Sequence, residues 1–157
     1  MKRFVVLLIV ISAVAAAQSS NGYVFVAPGG VTCCGHTEST IHLGAGVDAI
    51  LVKGLGVNLE IGALGPRQNF GASALGVFSP GGAYYFRRGK DLKLQPFVNG
   101  GYSLMFRSGH ANLFYFGGGA NYWLARRIGL RFELRDHVHP GYNASHFWGF
   151  RVGLALR

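Results

Sequence analysis

Residues 114–135 read FYFGGGANYWLARRIGLRFELR, and one period governs both halves of the stretch. From Ile128 onward, Ile128, Leu130, Phe132 and Leu134 alternate with Gly129, Arg131, Glu133 and Arg135. A period of two places the first set on one face of a β-strand and the charged set on the other. Upstream, Phe114, Phe116, Ala120, Tyr122 and Leu124 share a parity, opposite Gly117, Gly119, Asn121 and Trp123. Arg126 and Arg127 form the reversal between the halves. The stretch is therefore a β-hairpin with one apolar side and one small, polar or charged side.

The same alternation recurs along the chain. Tyr23 to Ala27 reads as a short strand stopped by Pro28-Gly29-Gly30, with a polar loop running on to about Thr40. Ile41 to Leu51 is a second strand and Leu55 to Ala63 a third, joined by a turn at Val52-Lys53-Gly54. Gly54 is free to take the left-handed conformation that a tight hairpin needs. A fourth strand spans about Ala72 to Phe86, and Ser79-Pro80-Gly81-Gly82 predicts a bend or bulge within it. Leu92 to Phe106 is the fifth, the quoted hairpin supplies the sixth and seventh, and Phe147 to Leu156 is the eighth. The connections after strands two, four and six read as short, and those after one, three, five and seven as long. That places short turns at one end of an up-and-down barrel and long loops at the other.

Residues 1–17 carry the marks of a secretory signal peptide: basic Lys2 and Arg3, an apolar run from Phe4 to Val14, and Ala15-Ala16-Ala17 as the small-residue cleavage site. Its removal takes two positive charges from the formal net charge, from +9 to +7. The expected mature domain is 18–157. No other segment could form a membrane helix, so insertion into a membrane requires a closed barrel, which satisfies its own backbone.

Composition points the same way. Only 13% of residues are charged, against roughly 25% in an average soluble domain. A soluble barrel would hide the Leu, Ile, Phe and Trp inside and expose a wall of Gly, Ala, Asn and Ser. That wall is too poor in charge for a water-facing surface. Reversed, the apolar side meets lipid, and small residues and paired charges fill a bore only just wide enough for side chains. Asp48, Glu60 and Glu133 are then expected to pair with Lys93, Arg131, Arg135 and Arg151 as a charge network in the bore. Tyr23, Tyr84, Phe86, Tyr102, Phe106, Tyr122, Trp148 and Phe150 fall near strand ends or on the outward face, where aromatic girdles belong.

The signal, about eight alternating strands, and the final segments WLARRIGLRFELR and FWGFRVGLALR resemble the small outer-membrane β-barrel family, the OmpA/OmpX-like transmembrane domains. The resemblance implies an all-β, up-and-down antiparallel transmembrane barrel in the outer membrane of a Gram-negative-type bacterium. It implies a non-enzymatic role in envelope structure or in surface interaction through external loops. The implied partners are outer-membrane lipid, lipopolysaccharide and the barrel assembly machinery, with the chain a monomer. Members of the family usually end on an aromatic residue, whereas this chain ends Leu156-Arg157. One alternative is a secreted soluble lipocalin-like barrel holding an apolar ligand. Another is a lipid-A-modifying barrel enzyme, with His139, Ser145 and His146 near the required end.

Few residues invite chemistry. Cys33 and Cys34 are adjacent in the first expected loop, and three states are open to them: a vicinal disulfide, free or intermolecular thiols, or metal ligation. His137 and His139, with His36 as a third, are weak metal-ligand candidates without a strong ligand spacing. Plain loop composition is the simpler account, with no metal and no cofactor. Gly117-Gly118-Gly119 lies within a strand and not before a helix, which argues against a phosphate loop. The positive charges are spread over turns and bore, which argues against a nucleic-acid partner.

Overall fold

A computed structural model describes residues 19–86, 92–141 and 144–157. The expected signal peptide at 1–17 lies outside the described residues, as does 87–91, a short basic stretch that the sequence reads as the turn between the fourth and fifth strands. The described chain forms β1 (Ser19–Cys33), β2 (His36–Val52), β3 (Leu55–Pro66), a single helical turn α1 (Phe70–Ser73), β4 (Leu75–Tyr85), β5 (Leu94–Phe106), β6 (His110–Trp123), β7 (Ile128–His139) and β8 (Ser145–Leu156). Each strand pairs antiparallel with the next, and β8 closes on β1, giving an up-and-down barrel.

The direction of the side chains settles the class. Along β7, Phe132 and Leu134 are 37% and 60% exposed on the outside, while Arg131, Glu133 and Arg135 are each 1% exposed inside. The other strands repeat this. Val24, Leu43, Val47, Leu59, Ile61, Val98, Phe116 and Leu154 line the outer wall, and Asn58, Glu60, Asn99, Asn121 and Arg151 line the bore. The barrel is thus apolar outside and polar within. This overturns the lipocalin-like alternative, because the hydrocarbon covers the outer face and charges and amides fill the middle of the interior, between buried apolar clusters such as Tyr23, Phe25 and Trp123 on one side and Leu64, Val77, Met105 and Leu113 on the other. Tyr84 and Tyr122 ring the end that carries the termini, while Tyr102, Phe106 and Trp148 ring the opposite end.

Five expectations need correction. The first strand does not stop at Ala27. It runs to Cys33 and pairs with β2 through Cys33↔His36, so the expected loop is a long hairpin closed by Cys34 and Gly35. Pro28 still pairs with Ile41 in β2, but the β1–β8 ladder skips Ala27 and Pro28. A proline without an N–H costs one neighbour and leaves the other intact. Pro80 behaves alike: it pairs with Leu59, while the β4–β5 ladder skips Ser79 and Pro80. The fourth strand is therefore continuous.

The turn after β2 is two residues, Lys53 and Gly54, with φ of 48° and 89°, preceded by a register shift between Ile50 and Val52. Both central φ values are positive, as a type I′ hairpin turn requires. The extra residue Leu51 restores parity, so Val52 and Leu55 both face outward. Connection lengths do not alternate as expected either. The far end of the barrel is built largely by strands that extend past the bore, as β1 and β2 do with 15 and 17 residues. Finally, Tyr23 points inward and is 4% exposed, because its neighbours Val24 and Val26 take the outer face.

Candidate functional site

The largest gathering of charged side chains among the described residues is in the bore. Among the described residues it holds three buried arginines, Arg131, Arg135 and Arg151, against three buried carboxylates, Asp48, Glu60 and Glu133. Charge is balanced across four strands: β2 and β3 supply Asp48 and Glu60, and β7 and β8 supply the rest. The alternation on β7 alone stacks Arg131, Glu133 and Arg135 along the bore axis.

Nearest the terminal end, Arg131 Nη1 donates to Asp48 Oδ2 at 2.9 Å, and its Nε to Glu133 Oε2 at 3.1 Å. Tyr85 donates its hydroxyl to the same Asp48 oxygen at 2.5 Å. The Arg131 guanidinium lies between two rings, 4.1 Å from the Tyr23 centroid and 4.0 Å from that of Phe97. Desolvated cation–π contacts of this kind contribute about 2 kcal/mol each. Gly44 and Gly46 of β2 make room for the aromatic pair on β1. A Cβ on Gly44 would come within 2.8 Å of the Phe25 ring, and one on Gly46 would meet Tyr23.

In the middle layer, Arg135 Nε donates to Glu133 Oε1 at 2.5 Å, and Asn99 Nδ2 donates to that oxygen at 3.0 Å. Glu60 Oε2 gathers Tyr23 Oη at 3.0 Å, Arg151 Nη1 at 2.7 Å and Arg135 Nη1 at 3.2 Å. Tyr115 donates to Asn58 Oδ1 at 2.8 Å and stacks its ring on Arg135, 4.4 Å away.

The upper layer is set by Arg151. Its Nη2 lies 3.2 Å from His42 Nδ1 and 3.3 Å from His137 Nε2. A guanidinium only donates, so both ring nitrogens accept and both imidazoles are neutral there. His137 then carries its proton on Nδ1 and donates to Ser103 Oγ at 3.0 Å, which pairs with Ser79 Oγ at 2.6 Å. A continuous chain of polar contacts thus runs from Glu60 through Arg151 and His137 to Ser79. Beside it lies an enclosed cavity of about 10 Å³ lined by Thr40, His42, His137 and Arg151, room for about one water.

Six of the seven residues expected in the bore meet there: Asp48, Glu60, Arg131, Glu133, Arg135 and Arg151. Lys93 does not. It has the right parity but precedes β5 and is exposed at the terminal rim, where its carbonyl accepts from Trp123 N. His137, expected in an external loop, is instead a bore residue at 2% exposure, because β7 continues to His139. His139 and His36 are exposed at strand ends, so the three candidate ligands are not brought together. Among the described residues no three His, Cys, Asp or Glu side chains gather as a metal site. Tyr23, Tyr85, Tyr115, Asn58, Asn99 and His42 are network members that charge alone did not reveal. Parity within each strand is the signal that reaches them.

No family model matches the sequence, and no curated protein matches it. Solved structures do. Neisserial surface protein A superposes with a TM-score of 0.70 at 8% identity, covering 89% of this chain and 97% of that one. The fold is that of a small outer-membrane β-barrel. The N-terminal β-barrel domain of Pseudomonas aeruginosa OprF gives 0.65 at 14% identity, covering 89% and 98%. Ail, the attachment invasion locus protein of Yersinia pestis, gives 0.56 at 13% identity, covering 87% and 97%. At such identities the likeness speaks for the barrel and not for a shared activity.

Proposed function

We propose that this chain is an outer-membrane barrel sealed by its own side chains, serving the envelope structurally or through surface contacts made by its external strand ends. The observation that carries this reading is the charge-balanced network of three arginines and three carboxylates inside the bore, with hydrocarbon outside. A signal peptide at 1–17 would deliver it to the envelope, with the termini and the turns at Lys53-Gly54 and Arg126-Arg127 on the periplasmic side. The hairpin tip at Cys34-Gly35 and the adjoining ends of β7 and β8 then face outward. Buried pairs of this density leave no open water column, so the barrel is not a general porin. The test is reconstitution in a planar bilayer. Folded protein, recognised by heat-modifiable gel migration, should give no steady conductance above the lipid baseline. An ohmic pore would overturn the reading.

One observation favours a second reading, an enzyme acting on lipid. His139 and Ser145 are register partners across β7 and β8, and both line a pocket of about 330 Å³ with Met105, Leu113 and Phe147. Against it, no hydrogen bond joins the two side chains, and Ser145 lies beside Cys33 in the β1–β8 register. Lipid profiles of strains carrying His139→Ala or Ser145→Ala decide it: an altered acylation pattern in both would support the enzyme.

A further inference from the structure

The tip of the β1–β2 hairpin carries an adjacent pair of thiols in an unusual turn. Cys33 and His36 are the closing pair, and Cys34 and Gly35 are the two central residues, with φ of 55° and 80°. This type I′ geometry favours Asn-Gly or Asp-Gly, whose first residue tolerates the left-handed region. Here a cysteine takes that place. The turn swings its side chain back toward its neighbour, so that Cys33 Sγ and Cys34 Sγ lie 2.7 Å apart with both residues reachable from solvent. A third group completes the site. Thr32 pairs with His146 in β8, which sets the next residue, Cys33, beside Ser145.

We propose that this hairpin tip is a thiol–disulfide modification site, in which Cys33 attacks an external disulfide and Cys34 resolves the adduct to a vicinal disulfide. The division of labour follows from the surroundings. The contact with Cys34 Sγ, and then the neighbouring Ser145 across the β1–β8 register, hold the Cys33 thiol below the pKa of an ordinary cysteine. The same contact shifts Cys34 up. Cys33 is therefore the first thiolate to form, and the thiolate is the attacking species.

The chemistry balances with a disulfide oxidant, whether a small molecule or a protein. The Cys33 thiolate attacks one sulfur of RS–SR, an S–S bond forms, and one RS⁻ departs with the electron pair. Cys34 loses its proton and attacks Cys33 Sγ, expelling the second RS⁻. The two protein thiols give up two electrons and two protons, and the reagent ends as two thiols. The product ring contains the Cys33–Cys34 peptide and stiffens the exposed tip without cross-linking one chain to another.

The experiment uses the folded barrel in detergent, treated with oxidised glutathione, quenched with N-ethylmaleimide and weighed intact. The expected product has lost the mass of two hydrogen atoms and takes up no maleimide, while the reduced control takes up two. The same treatment of urea-unfolded chain should leave mixed disulfides, because the turn no longer holds the thiols together. Among single variants that keep heat-modifiable migration, Cys34→Ser should form the glutathione adduct faster than Cys33→Ser. Folded protein that stays alkylatable, or that accumulates disulfide-linked dimers, would overturn the proposal. Ring closure that is equally fast in the unfolded chain would do so as well.

Discussion

Removing the Glu133 carboxylate is the sharpest test of the bore network. Its two oxygens accept from Arg135 at 2.5 Å, Asn99 at 3.0 Å and Arg131 at 3.1 Å. Glu133→Ala strands these donors and leaves three arginines against two carboxylates. Breaking a buried pair from one side costs about 3–5 kcal/mol. Each arginine here keeps a second partner, Arg131 with Asp48 at 2.9 Å and Arg135 with Glu60 at 3.2 Å. The loss should therefore sit near the lower bound, about 3 kcal/mol. With a urea dependence of about 2 kcal/mol per molar, the unfolding midpoint falls by about 1.5 M. The assay is a urea titration in lipid vesicles, with heat-modifiable migration reporting the folded fraction. Arg135→Met made in the Glu133→Ala background should cost clearly less than it does in the wild type, since its strongest partner is already gone. A midpoint within about 0.3 M of wild type, or strict additivity of the two changes, would refute the network as a unit.

Two further substitutions probe the wall and the turns. Leu134→Arg puts a charge on the outer face near mid-strand, where an arginine in a lipid-facing barrel wall costs about 2–4 kcal/mol; the same urea titration should register it, and an unchanged midpoint would mean that this face is wet. Gly54→Ala should destabilise more than Gly35→Ala. Both positions have positive φ and each loses roughly 1 kcal/mol or more on that account, but a Cβ at Gly54 would also meet the Tyr85 carbonyl, whereas one at Gly35 meets nothing. Equal losses at the two turns would count against the close packing of Gly54 on β4.

How much of this was legible in the sequence differs by region. The hairpin of β6 and β7 could be read because, between water-free hydrocarbon outside and a crowded polar bore inside, every second residue is forced into one class. Arg131, Glu133 and Arg135 needed no structure to be placed together. The signal fades where the strands leave the hydrocarbon. In Asp136-His137-Val138-His139 both faces are polar or mixed, so the last residues of β7 resemble a loop, and His137 was misplaced. The same holds for β1, where Pro28-Gly29-Gly30 looks like a stop. A proline on a barrel strand silences only one of its two ladders, which no one-dimensional rule conveys. Lys93 failed in the opposite way: its parity was right, but parity says nothing of where the bore ends. Tyr23 and Phe97 were hidden because aromatic side chains suggest lipid, whereas here they sandwich an arginine that needs their π faces.

The direction of the β7 side chains in a bilayer is the most direct measurement. NMR of the barrel in lipid vesicles, with labelled Ile and Leu methyls and labelled Arg side chains, reads both faces at once. Cross-peaks from acyl-chain methylenes to Ile128, Leu130 and Leu134 methyls are predicted, together with Arg131 and Arg135 Nε protons protected from exchange with water. Methyls that contact only one another, beside arginine protons in free exchange, would contradict the barrel described here.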